Sequence, residues 1–110
     1  MQKMTIAQLV QNPEMIEVVT SWSVQSDRET FAKMYCDFSN TDLRDRIKKV
    51  QCPSLVLLES SFKNFKPAIE AQYKNLESAN LQYANQGLHF IMYDDKEWYL
   101  DQLAGFLNID

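Results

Sequence analysis

The eight residues from Pro53 to Ser60, "PSLVLLES", are the stretch that decides the fold of this chain. They form a short, continuous apolar run, without the alternation of apolar and polar side chains that a half-exposed strand shows. A run of this kind is typical of a strand that is buried on both faces, as in a parallel sheet. We therefore predict a buried parallel strand here, and an α/β fold around it.

The segments that follow this strand alternate between helix and strand. Pro67 is expected to open a helix, because proline is favoured in the first helical turn, and 79–84, "ANLQYA", is expected to be a second strand. A strand, a helix and another strand predict a right-handed parallel crossover. Asp94, with Glu97 three residues later, is predicted to cap a terminal helix. The predicted buried stripe of that helix consists of Tyr99, Leu103, Phe106 and Leu107.

The residues before this unit are predicted to be helical. Asn12-Pro13-Glu14 combines a capping side chain, a proline and an acid, which together favour a helix start. Ser26-Asp27-Arg28-Glu29 has the pattern of a capping box for a second helix. Asn40-Thr41-Asp42 is predicted to begin a third, short helix. The sequence therefore divides near Asn40 into a helical segment, 1–39, and an alternating segment, 40–110.

Composition excludes several classes of function. The chain has 110 residues, 45% hydrophobic and 24% charged, which is typical of one globular domain. Its net charge of −4 argues against a nucleic-acid partner. No apolar run approaches the ~20 residues that span a bilayer, and the N-terminus is too polar for a signal peptide. We therefore predict a cytoplasmic protein without a membrane or nucleic-acid partner.

Cysteine and glycine usage argues against a metal or cofactor. Cys36 and Cys52 lie in unrelated settings, and with a single histidine they do not provide the usual zinc spacings. They are expected to be free, partly buried thiols in a reducing compartment. Only two glycines are present, which argues against a glycine-rich phosphate loop. The sequence predicts no metal and no cofactor.

The only histidine stands in 87–95, "GLHFIMYDD". An isolated histidine in an apolar setting is either a structural residue or a general base, and local chemistry favours the structural role. The wider context bears on this choice. One long segment, 41–58, reads "TDLRDRIKKVQCPSLVLL", and a second, 79–107, reads "ANLQYANQGLHFIMYDDKEWYLDQLAGFL".

Together these segments resemble the C-terminal part of an α/β-hydrolase. In that family the first segment introduces the penultimate strand, and the second holds the last strand, the histidine loop and the closing helix. Lys96 stands where many relatives have proline. The resemblance covers Asn40 to Leu107, and 1–39 is similar to the family's lid by position and character. It implies a C-terminal fragment of the fold: a helical lid segment, then a β-α-β-α unit with two parallel strands.

The resemblance implies a reaction and a role for His89. Hydrolases of this family act on esters, thioesters or amides through an acyl-serine, and His89 matches the general base of their triad. The serine of such enzymes lies between glycines, but Gly87 and Gly105 are the only glycines here and neither is near a serine. The nucleophile is therefore expected upstream of residue 1 in a longer enzyme with a small-molecule acyl substrate, and the isolated chain is expected to be inactive.

The sequence leaves alternatives open for the triad acid and for the residues of a substrate pocket. Relatives often place the triad acid after the penultimate strand, where this chain has Phe62. Glu59 could replace it only if the loop bends its carboxylate toward His89; otherwise the acid belongs to an earlier strand outside the chain. Asp94 and Asp95 are expected to be helix caps rather than catalytic groups. Three apolar residues of the helical segment are expected either to line an acyl pocket or to pack between lid helices: Trp22, Met34 and Phe38.

A different class of function is also consistent with the sequence. The chain could be a small, non-catalytic α/β domain that binds or dimerises through its helices, with the histidine motif a relic. In both cases we expect self-association to a homodimer, because strand 55–58 would carry an unpaired apolar edge. Exchange of the lid helices between copies is the other route to a dimer.

Overall fold

The computed structural model describes residues 2–109, which form six α-helices, two strands and two short 3₁₀ helices. The 3₁₀ helices are Ile47–Lys49 and Ser60–Phe65. The other elements, in chain order, are α1 (Gln2–Ile6), α2 (Pro13–Gln25), α3 (Arg28–Ser39), β1 (Ser54–Leu58), α4 (Lys66–Tyr73), β2 (Ala79–Tyr83), α5 (Ile91–Asp94) and α6 (Lys96–Leu107). This order confirms the predicted alternation of strand and helix after β1.

The two strands pair in parallel, as the crossover pattern predicts. The register runs from Ser54 opposite Ala79 to Leu58 opposite Tyr83. The burial of β1 is less than predicted, because Leu58 is its only buried residue and the others are half-buried. The sheet within residues 2–109 has two strands, so the outer edge of β1 pairs with no further strand there.

The start of α2 and α3 follows local capping chemistry. The Asn12 side chain accepts a hydrogen bond from the Glu14 backbone N–H at 3.0 Å, and Pro13 is the first helical residue. In α3 the cap is Asp27, whose carboxylate accepts from the Thr30 backbone N–H at 2.8 Å. Helix α2 begins where the sequence predicts, since its cap satisfies an amide that the helix leaves unpaired. The capping box predicted at Ser26 is wrong, because the N-cap of α3 is Asp27, one residue later, and Ser26 is the C-cap of α2.

The short helix predicted at Asn40-Thr41-Asp42 is wrong. The chain forms turns there and a 3₁₀ helix over Ile47–Lys49. The Asp42 carboxylate accepts from the backbone N–H of Arg44 at 3.1 Å and also contacts its guanidinium. This local bond gives the backbone an alternative to the helical ladder, which explains why the pattern does not extend into an α-helix.

The terminal helix also differs from the prediction. It begins at Lys96, and the residue at its N-cap position, Asp95, makes no side-chain capping bond. Asp94 instead ends the short helix α5, and its carboxylate accepts hydrogen bonds from backbone N–H groups outside α6. At the other end of α6, Phe106 and Leu107 are exposed rather than part of a buried stripe. Among residues 2–109, no other element covers that end of α6 closely enough to bury them.

The hydrophobic core is small: one buried cluster lies at the N-terminal helices, and Leu58, Ala84 and Ile91 are buried at the ends of the strands and at α5. The Cα radius of gyration is 15.8 Å, against about 13 Å for a compact domain near this length. A large share of the apolar surface is therefore left uncovered. The buried cluster and the half-buried side chains packed on it are Ile6, Val10, Val19, Leu9, Met15, Ile16, Phe90 and Tyr93.

Candidate functional site

His89 lies in the loop between β2 and α5, beyond the carboxyl end of the parallel strands. In open parallel sheets, ligands bind at this end. The His89 side chain is exposed, and its ring meets Phe90 edge-on, with 5.3 Å between the ring centroids. Within residues 2–109 the imidazole has no hydrogen-bond partner. It is therefore accessible, and both ring nitrogens are open to an incoming group.

The backbone on each side of His89 is fixed by long-range hydrogen bonds. Ser60, just after β1, donates both its backbone N–H (3.2 Å) and its hydroxyl (2.7 Å) to the carbonyl of Gly87. The Phe90 N–H donates to the Leu9 carbonyl at 2.9 Å. These bonds tie the loop to the end of β1 on one side and to the N-terminal helices on the other.

Asp94 is the third support of this loop, and the prediction that it caps the last helix is wrong. One carboxylate oxygen, Oδ1, accepts from the backbone N–H groups of Gln11 and Asn12, each at 2.9 Å. The other, Oδ2, accepts from Gln11 at 2.9 Å and from Leu88 at 3.0 Å. Three amides from two distant segments therefore share one half-buried carboxylate.

Gly87 allows this close approach. A Cβ atom at position 87 would lie 2.5 Å from the Cβ of Asp94, closer than real contacts allow. The backbone φ of Gly87 is also +92°, a conformation that side-chain-bearing residues rarely adopt. Position 87 therefore requires glycine for two independent reasons, the steric contact and the backbone angle.

The structure does not join Glu59 to His89. Glu59 follows β1 directly, and the chain enters the 3₁₀ helix Ser60–Phe65 at the next residue. Its carboxylate accepts a hydrogen bond from the Ser61 hydroxyl. No hydrogen bond or ion pair between Glu59 and His89 is present among the described residues. The role of Glu59 as the triad acid therefore stays a prediction, as does an acid on an earlier strand.

Trp22 is the one predicted pocket residue that the structure brings toward His89. Its ring lies 6.3 Å from that of Tyr93, and Tyr93 lies 6.4 Å from Phe90, which contacts His89. Trp22 is 47% exposed, so part of its surface is open. A series of aromatic rings therefore runs from the histidine to α2.

Met34 and Phe38 lie elsewhere, on α3. They are 66% and 77% exposed, and no side chain of α3 is buried. Within residues 2–109 these two side chains therefore do not pack between helices, and their roles in a larger protein stay predictions. Phe38 borders an open cavity of about 660 Å³ that also contacts Arg44 and Tyr73, and His89 does not line it.

Cys36 and Cys52 are free, as predicted, but both are exposed rather than partly buried. Cys36 is on α3, whose side chains have no covering layer within residues 2–109. The same range holds no group of three or more histidine, cysteine or acidic side chains that could bind a metal ion. None of its helices is both long and apolar enough to cross a membrane.

Sequence patterns missed the residues that fix the loop. The sequence assigns Asp94 to a helix cap and Gly87 to a turn, and it assigns no role to Ser60. The turn signal at Asn85-Gln86-Gly87 is the one local hint, because glycine in a turn often has a positive φ. The partners of Asp94 at Gln11 and Asn12 are 83 and 82 residues away, and no local pattern reports such a pairing.

Comparison of the chain with protein-family models, with curated proteins and with solved structures finds no match. The fold is a mixed helix-and-strand arrangement with two parallel strands in one sheet. Any narrower assignment rests on the sequence motifs and on the geometry around His89.

Proposed function

We propose that this chain is the C-terminal region of a serine hydrolase with an α/β-hydrolase fold, and that His89 is its general base. The observation that carries the proposal is an exposed imidazole beyond the carboxyl ends of two parallel strands, on a loop with a fixed backbone. A general base must be both accessible to its proton and held in place. The bonds from Ser60, Leu9 and Asp94 supply the second requirement.

The proposed chemistry divides between this chain and residues upstream of it. His89 takes the proton of an upstream serine hydroxyl as its oxygen attacks the acyl carbonyl, and then protonates the leaving group. Water then attacks the acyl-serine while His89 takes its proton, and His89 returns that proton to the serine oxygen as the acid is released. The oxyanion amides belong to the nucleophile turn, which is also upstream. The substrate is a small-molecule ester, thioester or amide, and the compartment is cytoplasmic.

The uncovered surface of the chain supports a larger parent fold. Only Leu58 of β1 is buried, although the strand is apolar along its length. Its outer edge pairs with no strand in the part of the chain described by the structure. A strand with such a sequence is stable when further parallel strands and helices cover it. Upstream strands of a hydrolase sheet would provide that cover.

A fluorophosphonate probe, which reacts with activated serines, tests this proposal. We expect no labelling of the 110-residue chain. We expect labelling of a longer protein that carries a Gly-x-Ser-x-Gly turn upstream of residue 1. His89→Ala should abolish that labelling, because the serine keeps its proton without a base. Asn85→Ala, an exposed position in the same loop, is the matched control and should label normally. Labelling that survives His89→Ala would sink the proposal.

A second candidate function, a non-catalytic dimerisation domain, is favoured by α3. Its exposed apolar side chains follow helical spacing, and we call them the α3 stripe: Phe31, Met34, Tyr35 and Phe38. Their exposed surface is roughly 500 Å², taking about 200 Å² for each fully exposed large side chain. This is near the upper end of the largest apolar patches on monomers. In this proposal a second copy of the chain covers the α3 stripe or the edge of β1.

A further inference from the structure

We propose that Asp94 is a positioning residue: its carboxylate joins the turn before α2 to the loop that carries His89, and so sets where the imidazole lies. The catalytic meaning of this position rests on the proposed function. The positioning itself does not, because it follows from contacts within residues 2–109.

The geometry places Asp94 between two segments that are distant in sequence. Its Oδ1 accepts from Gln11 and Asn12, and its Oδ2 accepts from Gln11 and from Leu88. Leu88 immediately precedes His89, and its N–H belongs to the Gly87–Leu88 peptide, so this bond holds the backbone one residue before the peptide that leads into the histidine. Hydrogen bonds to a charged acceptor are about twice as strong as those between neutral groups.

Other contacts also attach the N-terminal helices to this region. Attachment of these helices therefore does not depend on Asp94 alone. Phe90 and Tyr93 pack on the cluster formed by Ile6, Val10 and Val19. The Phe90 N–H also donates to Leu9 at 2.9 Å, independently of Asp94. What the Asp94 carboxylate adds is a bond to the Leu88 N–H, on the other side of His89, in the same peptide whose Gly87 carbonyl accepts from Ser60.

This arrangement makes α2 and the turn before it part of the histidine site. A displacement of Gln11 and Asn12 would move the shared carboxylate, and with it the Leu88 peptide. The helical segment 1–39 is therefore not uniform: its first part is joined to His89 through Asp94, whereas α3 lies outside that connection. This coupling is specific to one side chain and can be removed by one substitution.

Asp94→Asn in the 110-residue chain tests the proposal, because an amide offers one acceptor oxygen where the carboxylate offers two. That oxygen can keep the two donors Gln11 and Asn12, and the NH₂ group then faces the Leu88 N–H, which it cannot accept. We expect the Leu88 amide to exchange with solvent roughly tenfold faster or more, as for a lost bond to a charged acceptor. Gln11 and Asn12 should stay protected.

The second readout is His89 itself, the only imidazole in the chain, whose ring signals are therefore unambiguous in proton–carbon NMR spectra. In Asp94→Asn we expect these signals to shift and the proton contacts between the His89 and Phe90 rings to weaken. Asp101→Asn, at an exposed position on α6, makes the same charge change and should leave both readouts as in the parent chain. Asp94→Ala should show the larger displacement, with Gln11 and Asn12 exposed as well.

Unchanged His89 signals and unchanged Leu88 exchange in Asp94→Asn would overturn the proposal. Loss of the folded spectrum in both Asp94 variants would overturn it too, because Asp94 would then be needed for folding rather than for position. The outcome is separable from that of the proposed function. If the His89 ring moves but serine labelling of the longer protein does not depend on His89, the hydrolase proposal fails and the positioning stands.

Discussion

Two neighbouring helices, α2 and α3, show how similar sequence patterns lead to different surroundings. Both begin at a side-chain cap and carry apolar residues at helical spacing, over 13 and 12 residues. Val19 of α2 is buried against α1 and the aromatic residues of the histidine loop, but α3 has no buried side chain. An amphipathic pattern predicts that a helix has an apolar face; it does not say what covers that face.

Gly87 allows the close approach of Asp94, which connects the turn before α2 to the histidine loop. Gly87→Ala should lower the free energy of unfolding by roughly 2–4 kcal/mol, because the new Cβ meets Asp94 and the φ of +92° becomes strained. The measurement is urea denaturation followed by circular dichroism. Gly105→Ala is the matched control: nothing lies within 4 Å of the added Cβ, and in helix α6 the change should be neutral or stabilising by up to about 1 kcal/mol. Equal effects at the two glycines would contradict the assigned geometry.

Truncation of one side chain in each helix tests the comparison directly. Val19→Ala in α2 should cost about 2 kcal/mol of unfolding free energy, because Val19 is 4% exposed and the change leaves a cavity. Met34→Ala in α3 removes a larger group but should change stability by less than about 0.5 kcal/mol. Thermal or urea unfolding of both variants gives the difference. A cost for Met34→Ala as large as that for Val19→Ala would mean that α3 is covered in solution.

In the dimer proposal, a second copy of the chain covers the α3 stripe. We expect the chain to dimerise in sedimentation-velocity experiments at tens of micromolar, and Phe38→Glu to weaken the dimer by at least about tenfold, because it places a charge in an apolar contact. Ala32→Glu, at an exposed position of α3 outside the α3 stripe, adds the same charge and should keep the dimer. If Phe38→Glu leaves association unchanged, the β1 edge becomes the remaining route. A chain that stays monomeric throughout would rule out both routes.

The smallest expected effect concerns the cap of α3. Hydrogen bonds from the side chain and backbone of Thr30 hold the pKa of Asp27 below its ordinary value. A carboxylate with a lowered folded-state pKa stabilises the helix above its unfolded pKa of about 4, and this contribution is lost as the pH falls through the folded value. Carbon chemical shifts should therefore report fraying of the first turn of α3 at low pH.

The control for this effect is Asp27→Asn, which still caps the helix but does not titrate. Its first turn should be insensitive to pH over the same range. Fraying that follows the same pH course in both proteins would show that another group controls the start of α3. Global stability should barely change in either case, because α3 contributes no buried side chain.

The features of the fold that the sequence predicts correctly are those that depend on only a few neighbouring residues. Pro13 and Pro67 lie in the first turns of α2 and α4, and the apolar run beginning at Pro53 became a parallel strand. The helix predicted near Asn40 failed because a local bond between Asp42 and Arg44 competes with the helix. The prediction that β1 is fully buried is also wrong, because burial depends on neighbouring layers that the strand's own residues do not specify.

The candidate site was predicted only in outline. The loop position of His89 follows from its place after the last apolar strand, and its side chain is exposed there. The predicted partners did not assemble around it: Glu59 bonds to Ser61, and Met34 lies on the uncovered α3. Trp22 does lie at the end of the aromatic series that starts at His89.

Local sequence sets where most helices and both strands begin, because caps, prolines and apolar runs act through neighbours within one or two turns. Long-range packing sets which groups Asp94 binds and which apolar faces are covered. Asp94 bonds to amides 83 residues away, and the carboxylate that would suit a helix cap suits those amides equally well. Hydrogen-bonding capacity belongs to a residue, but the choice of partner is made when distant segments pack.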